Sequence, residues 1–374
     1  VELDLTGLTT RAAQVWGGVR LVPLTRDEPI TGLRLHDRVY GDDPSLVDVG
    51  PRTYYASYIP HGFVATWTDD DTPVATYGTQ LKRGAEPPAH GMRLRFHRRM
   101  ARRVERNRLR FLPLHVAVEG YLALHFGGPE VVWEEWSQRA VRRGLSPRVE
   151  EAYAGAEVEG LADALKHFEI HPGQCGVLVY VADALAAAFV VPHPDDYRAL
   201  HTTLVQDMYG ELIHYYATLT TPVPRFDVRL PDDVASLADL RAAAVREQAE
   251  WARFHDLTMA AGLLGESYAT SRVYRMGDYT LSRFLPTFGL KEENHIGELI
   301  TDRDGRTAYL KTFRLSEAQI RRGHLLTILA AHDWHLATAA TALRLTEPQL
   351  GLRLQTAGFG ALLREDVLAR YRAG

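Results

Sequence analysis

Short runs rich in Val, Tyr, Phe and Trp recur through the first part of the chain: Gly17 to Leu24, Thr53 to Pro60 and Gly62 to Trp67. Asp-rich or Pro/Gly-rich breaks separate them at Gly41 to Pro44 and Asp69 to Pro73. This pattern predicts β-strands closed by turns. Phe111 to Glu119 reads as a buried strand, and Val131 to Phe168 as mainly helical with a break near Gly144 to Pro147. Cys175 to Val181 and Ala186 to Val191 are strand-like, with Asp183 at the bend between them. Tyr197 to Leu219 predicts a helix, because Leu200, Leu204, Met208, Leu212 and Tyr215 fall on one stripe.

A proline-rich break from Pro222 to Pro231 precedes a long helical pattern, Ser236 to Leu264. Leu237, Leu240, Ala244, Trp251, Phe254 and Ala261 have heptad-like spacing there, interrupted by Glu247 and Thr258, which predicts a core-facing helix. Two hairpins follow. Tyr268 to Arg275 and Tyr279 to Leu285 flank Gly277-Asp278, and Gly297 to Thr301 and Thr307 to Phe313 flank Asp302 to Arg306. They predict a small antiparallel sheet between the long helix and the end of the chain.

From Ser316 to Ala373 the sequence parses as three short helices. Ser316 with Gln319 is a capping-box start, and that helix runs to Ala331. Asp333 is the candidate N-cap of a second helix, Trp334 to Leu343. Thr346 caps a third, with Pro348 in its first turn and Gly358 closing it. The expected fold class is therefore α+β: a β-rich mixed N-terminal domain (1–221), a long helix with a small antiparallel sheet (232–313), and a C-terminal three-helix bundle (316–374).

Within that bundle, Ala339-Ala340, Leu343, Leu345, Leu350 and Leu354 occupy the interior positions a helix-turn-helix needs. The stretch resembles the Fis-type helix-turn-helix, with Arg344 where that family has a turn glycine. The resemblance implies duplex DNA as partner and Arg344, Gln349, Arg353 and Gln355 as the reading residues. A packing or dimerisation module is the alternative, and a homodimer is a further expectation.

A second resemblance covers Arg93 to Thr218. The run LPLHVAVEG, a helical middle and GQCGVLVYVADALAAAFVVPHPDDYRALHTTLVQDMYGELIHYYA look like the ARPP-type domains. Those accompany ADP-ribosylglycohydrolase and rhodanese-phosphatase proteins. This resemblance implies association with nucleotide or ADP-ribose systems, a nucleotide-like small molecule as ligand, and no particular reaction.

The formal charge of −4 and a 24% charged, 46% apolar composition describe an ordinary folded protein with no overall bias toward polyanions. Cys175 stands alone, so no intramolecular disulfide is possible. With no leader and no long apolar run, the expectation is a soluble cytoplasmic protein that does not enter a membrane. Only four of the 43 basic residues are lysines. Between Lys82 and Arg110, eleven basic residues face only Glu86 and Glu105. Arg98, Arg99, Arg102, Arg103 and Arg106 are the candidates there for phosphate contact, with a solvated helix face or pairing to the acidic Glu130 to Glu169 stretch as alternatives.

Catalytic chemistry is sparse. Neither a GxxxxGK[ST] loop, a GxGxxG loop nor a GxSxG elbow is present. His167 and His171 have helical ligand spacing but no HExxH glutamate, so no metal site and no cofactor is assigned. His115 and Glu119 lie about 13 Å apart on a strand, too far for one metal ion. The candidate pocket residues are Glu119, as general base or ligand anchor, with His115, His61 and Asp183. Regulator and enzyme acting on a nucleotide, ADP-ribose or related phosphate metabolite remain as two readings, the first favoured by the spacing of the helix-turn-helix.

Overall fold

The computed structural model describes residues 5–31, 33, 126, 171–204, 209–210, 212–213, 216, 221–223, 230–260 and 268–373, together with the strands between 46 and 111. The first strands are β1 (Thr9–Thr10), β2 (Gln14–Trp16) and β3 (Val19–Thr25). Then come β4 (Leu46–Gly50), β5 (Thr53–Ala56), β6 (Val64–Trp67), β7 (Pro73–Thr76), β8 (Gln80–Arg83), β9 (Gly91–Arg93) and β10 (Arg110–Phe111). They are followed by β11 (Gln174–Val181), β12 (Ala184–Val190), helix α1 (Pro194–Thr203) and helix α2 (Leu237–Phe254). A second group of strands is β13 (Tyr268–Met276), β14 (Tyr279–Pro286), β15 (His295–Thr301) and β16 (Thr307–Arg314). The chain continues in helices α3 (Glu317–Ala331), α4 (Leu336–Ala342), α5 (Glu347–Thr356) and α6 (Glu365–Ala373). The class is α+β.

The central feature is a nine-stranded sheet in the order β1-β3-β11-β12-β16-β15-β14-β13, with β2 also paired to β3. Strands β10-β6-β7-β9 and β4-β5-β8 form two smaller sheets. The two hairpins expected to stand apart as a small sheet do not. Ala187 to Val190 of β12 pair with Phe313 to Leu310 of β16, so the hairpins extend the sheet begun by the first strands. The physical reason is that β12 is apolar on both faces and has β11 on one side only, so β16 satisfies its other edge.

Both faces of the sheet are covered, which is why β3, β11 and β12 read as nearly unbroken apolar runs. One face gathers Val19, Leu21, Val177, Val179, Phe189, Tyr309 and Phe313 against Tyr197 of α1 and Ile320, Leu325, Leu326 and Leu329 of α3. The other gathers Val22, Leu24, Leu178, Tyr180, Val190 and Leu310 against Trp251 of α2. Pro23 is tolerated inside β3 because its carbonyl faces Arg11, whose N–H it accepts at 2.9 Å. Its missing N–H therefore falls on that side and leaves the β11 ladder intact. Buried Arg26 fastens three strand ends, donating to the carbonyls of Val191, Thr307 and Ala308.

Helix α2 starts on the capping box of Ser236 and Asp239 and ends earlier than the periodicity predicts, passing into a π-helical turn at His255–Met259. Helix α3 follows its expected capping box at Ser316 and Gln319. Gly323 at its middle admits the Phe288 ring, which a Cβ would meet at 2.1 Å. Asp333 is not a cap: it and Trp334 both have positive φ in the turn after α3. His335 is the N-cap of α4 and makes no side-chain cap bond, so the expected helix start is two residues too early. Helix α6 extends past the three helices anticipated and packs on α5.

Candidate functional site

Between α4 and α5 the chain makes a tight turn. Ala339 and Ala340 are buried, so α4 approaches α5 closely, and Leu350 and Leu354 of α5 are also buried. Leu345 N–H donates to Ala340 O at 2.9 Å, closing the turn. Arg344 adopts a φ of +55°, the left-handed conformation for which a glycine is the usual residue. Thr346 and Gln349 form a reciprocal capping box at the start of α5.

The four residues expected to read DNA separate in this geometry. Arg344 and Arg353 are exposed. Gln349 is committed, since its Oε1 accepts the Thr346 N–H at 2.9 Å. Gln355 is also engaged, accepting from Arg372 Nε at 3.2 Å. From Ser316 onward seven arginines stand against five carboxylates, so the surface is only mildly basic.

A second polar cluster lies where the π-helical turn meets the sheet. Tyr180 Oη and His255 Nε2 are 2.8 Å apart, and His255 Nδ1 is 2.9 Å from Asp256 Oδ1. An ionised carboxylate only accepts, which assigns the proton to Nδ1 and leaves Nε2 to accept from the tyrosine hydroxyl. Burial holds His255 below its ordinary pKa, opposed by the bond to Asp256. Burial likewise pushes the Tyr180 hydroxyl upward, with the Asp256 charge adding to it. The order carboxylate, imidazole, hydroxyl resembles a catalytic relay, but Tyr180 and His255 are both fully buried. What it does directly is fasten the π-helical turn to β11.

Beside this cluster, Arg20 on β3 pairs across the sheet with Tyr180, lies 5.5 Å from the Trp251 ring centroid, and donates to Asp183 Oδ1 at 3.0 Å. Asp183 and Ala182 both have positive φ, forming the two-residue loop that turns β11 into β12. Asp183, expected as a pocket residue, thus forms an ion pair at the loop and is partly exposed. Its proposed companions His61, His115 and Glu119 lie outside the described residues, as do Arg98, Arg99, Arg102, Arg103 and Arg106. Among the described residues, no three His, Cys, Asp or Glu side chains gather as a metal would require. Arg20, Tyr180, His255 and Asp256 were not singled out from sequence: Tyr180 hides in an apolar strand, and no local pattern announces a π-helical turn.

The family model ARPP-2 matches residues 3–277, most of the chain. The chain belongs to the ARPP-2 family. The match is wider than the Arg93 to Thr218 resemblance and takes in the first strands, α2 and its π-helical turn. It ends at Gly277, in the turn between β13 and β14, whereas the ARPP-2 chain needs β14, β15 and β16 to link β13 to β12 in the sheet. No curated protein and no solved structure matches this ARPP-2 chain. No described helix is long and apolar enough to cross a membrane.

Proposed function

We propose that this ARPP-2 chain is a regulatory protein: its ARPP-2 region receives a nucleotide-like ligand or a partner, and α4 and α5 act as a helix-turn-helix that contacts duplex DNA. The observation that carries the reading is Arg344 at a φ of +55° between α4 and α5. A non-glycine residue there costs about 1–2 kcal/mol in the left-handed conformation, so the turn is held by its surroundings: buried Ala339 and Ala340, the Leu345 N–H bond, and the Thr346 cap. This is the geometry that seats the second helix of such a motif outward. With Gln349 and Gln355 engaged internally, binding rests on Arg344, Arg353 and phosphate contacts, and little base-edge readout is expected.

The test is fluorescence anisotropy of the full chain with a labelled mixed-sequence duplex, titrated over salt. Affinity is expected to fall as salt rises, with a shallow slope. Arg344→Glu with Arg353→Glu should weaken binding by about 1–3 kcal/mol, taking a contact to be worth that order. Absence of any wild-type binding at low salt, or binding unchanged in the double variant, would remove the DNA role.

A further inference from the structure

Glu347, Gly351 and Gln355 recur every fourth residue and so form one stripe along α5. Each meets α6. Glu347 Oε1 accepts from Tyr371 Oη at 2.5 Å, and Gln355 Oε1 accepts from Arg372 Nε at 3.2 Å. Between them Gly351 lies so close beneath Tyr371 that a Cβ would come within 2.5 Å of a ring carbon. Glycine is a poor helix former, and its place in the middle of α5 is explained by the ring it admits. The bond to Glu347 also holds the Tyr371 hydroxyl above its ordinary pKa. This flank adjoins the buried Leu350 and Leu354 on one side and leads to exposed Pro348 on the other.

We propose that α6 is an autoinhibitory strap, covering one flank of α5 and narrowing the face offered to a duplex; its release opens that face. This rests on the helix-turn-helix reading of α4 and α5. Three features support the strap. It is built from side chains rather than from a deep core, since Leu368 is the buried residue of α6. Its polar bonds lie in solvent-exposed positions where water can replace them. It engages Gln355, a side chain that would otherwise face outward. A helix that exchanges between covered and free states lowers apparent affinity by the fraction that is free.

Two variants release the strap without changing charge. Gly351→Ala strengthens α5 as a helix while displacing the Tyr371 ring, and Tyr371→Ser removes the ring and leaves α5 unaltered. With the full chain and a mixed-sequence duplex, both are expected to bind about ten-fold more tightly than wild type, as for a strap that leaves about a tenth of molecules open. Amide exchange should quicken over 365–373 while 336–356 stays protected. If wild type binds and the released variants bind no more tightly, the strap is wrong and the helix-turn-helix stands. If exchange over 365–373 is unchanged in both variants, the contacts do not hold α6 and the strap is again wrong. If neither wild type nor the released variants bind, the DNA reading fails, and the strap fails with it.

Discussion

Two buried histidines make stability depend on pH in a stated direction. Burial lowers the His201 pKa to about 4, and burial with the Arg314 cation lowers that of His295 to about 3. The Nδ1 of His295 has no hydrogen-bond partner among the described residues. The unfolded chain protonates each histidine near its ordinary value, about 6.5, while the folded chain does not. Below that value the unfolded state holds more protons, so stability falls with pH from there down to the folded values and is flat above. Each group contributes about 1.4 kcal/mol per pH unit inside its window. His295→Leu should therefore reduce the slope of urea-unfolding free energy by about that amount between roughly pH 6 and 5. An unaltered slope would show that His295 does not titrate this way. At Arg344 the expectation is a near cancellation. Glycine relieves about 1 kcal/mol of left-handed strain and forfeits about 0.4–1 kcal/mol through the freer unfolded chain. Arg344→Gly should leave the melting temperature almost unchanged, and a large loss would mean that the side chain itself stabilises the turn. Turn residues of this kind were legible at Gly277-Asp278 and at the Thr346 cap, where a local signature exists. Asp333 misled because its N-cap chemistry and its ability to adopt positive φ are both properties of the same residue type, and the turn after α3 used the second.

At the scale of the element, one cross-strand row carries charge through an apolar face. Arg283, Glu298 and Lys311 stand opposite one another on β14, β15 and β16. Glu298 accepts from Arg283 Nε at 2.8 Å and lies 3.0 Å from Lys311 Nζ. Both Glu298 and Lys311 are fully buried, and burial holds Lys311 below its ordinary pKa against the opposing pull of Glu298. Removing one member of a buried pair costs about 3–5 kcal/mol, whereas replacing both by apolar groups is often neutral. Glu298→Gln should therefore destabilise by about that amount, and Glu298→Leu combined with Lys311→Met by clearly less, read from urea midpoints. Equal losses in the two proteins would show no coupling. The strands themselves were visible in sequence because apolar runs and turn residues mark them. The burial of Lys311 was not visible. A lysine between Leu310 and Thr312 reads as the solvent side of a half-buried strand, and only helices packed on both faces place it inside. Strand order was hidden for a related reason: the β12–β16 pairing is set by two segments distant in sequence, each able to pair with any complementary edge.

Across the whole molecule, the ARPP-2 match and the folded sheet end in different places. A chain stopped at Gly277 keeps β12 and β13 but loses the three strands between them, along with α3, which covers one face of the sheet. Strand β12 would then present an open apolar edge, a template for association with other chains. The fragment 1–277 is expected to aggregate or to lack cooperative unfolding, while the full chain melts with its nine-stranded sheet as one unit. Size-exclusion chromatography and thermal circular dichroism distinguish these outcomes, and a monomeric, cooperatively melting fragment would show that the family region is self-sufficient. The same continuity bears on the proposed regulation. Leu325, Leu326 and Leu329 of α3 belong to the same core as Val177, Phe189 and Tyr309 of the sheet, and Ala339, Leu350 and Leu354 of α4 and α5 continue it. A ligand that shifts the packing of the ARPP-2 region thus has a contiguous apolar path to the helices proposed to meet DNA. Such a path becomes coupling only if the ligand binds one arrangement of the end helices more tightly than another. The strap supplies a second arrangement, so amide exchange over 365–373 is the quantity to follow when candidate nucleotides are added.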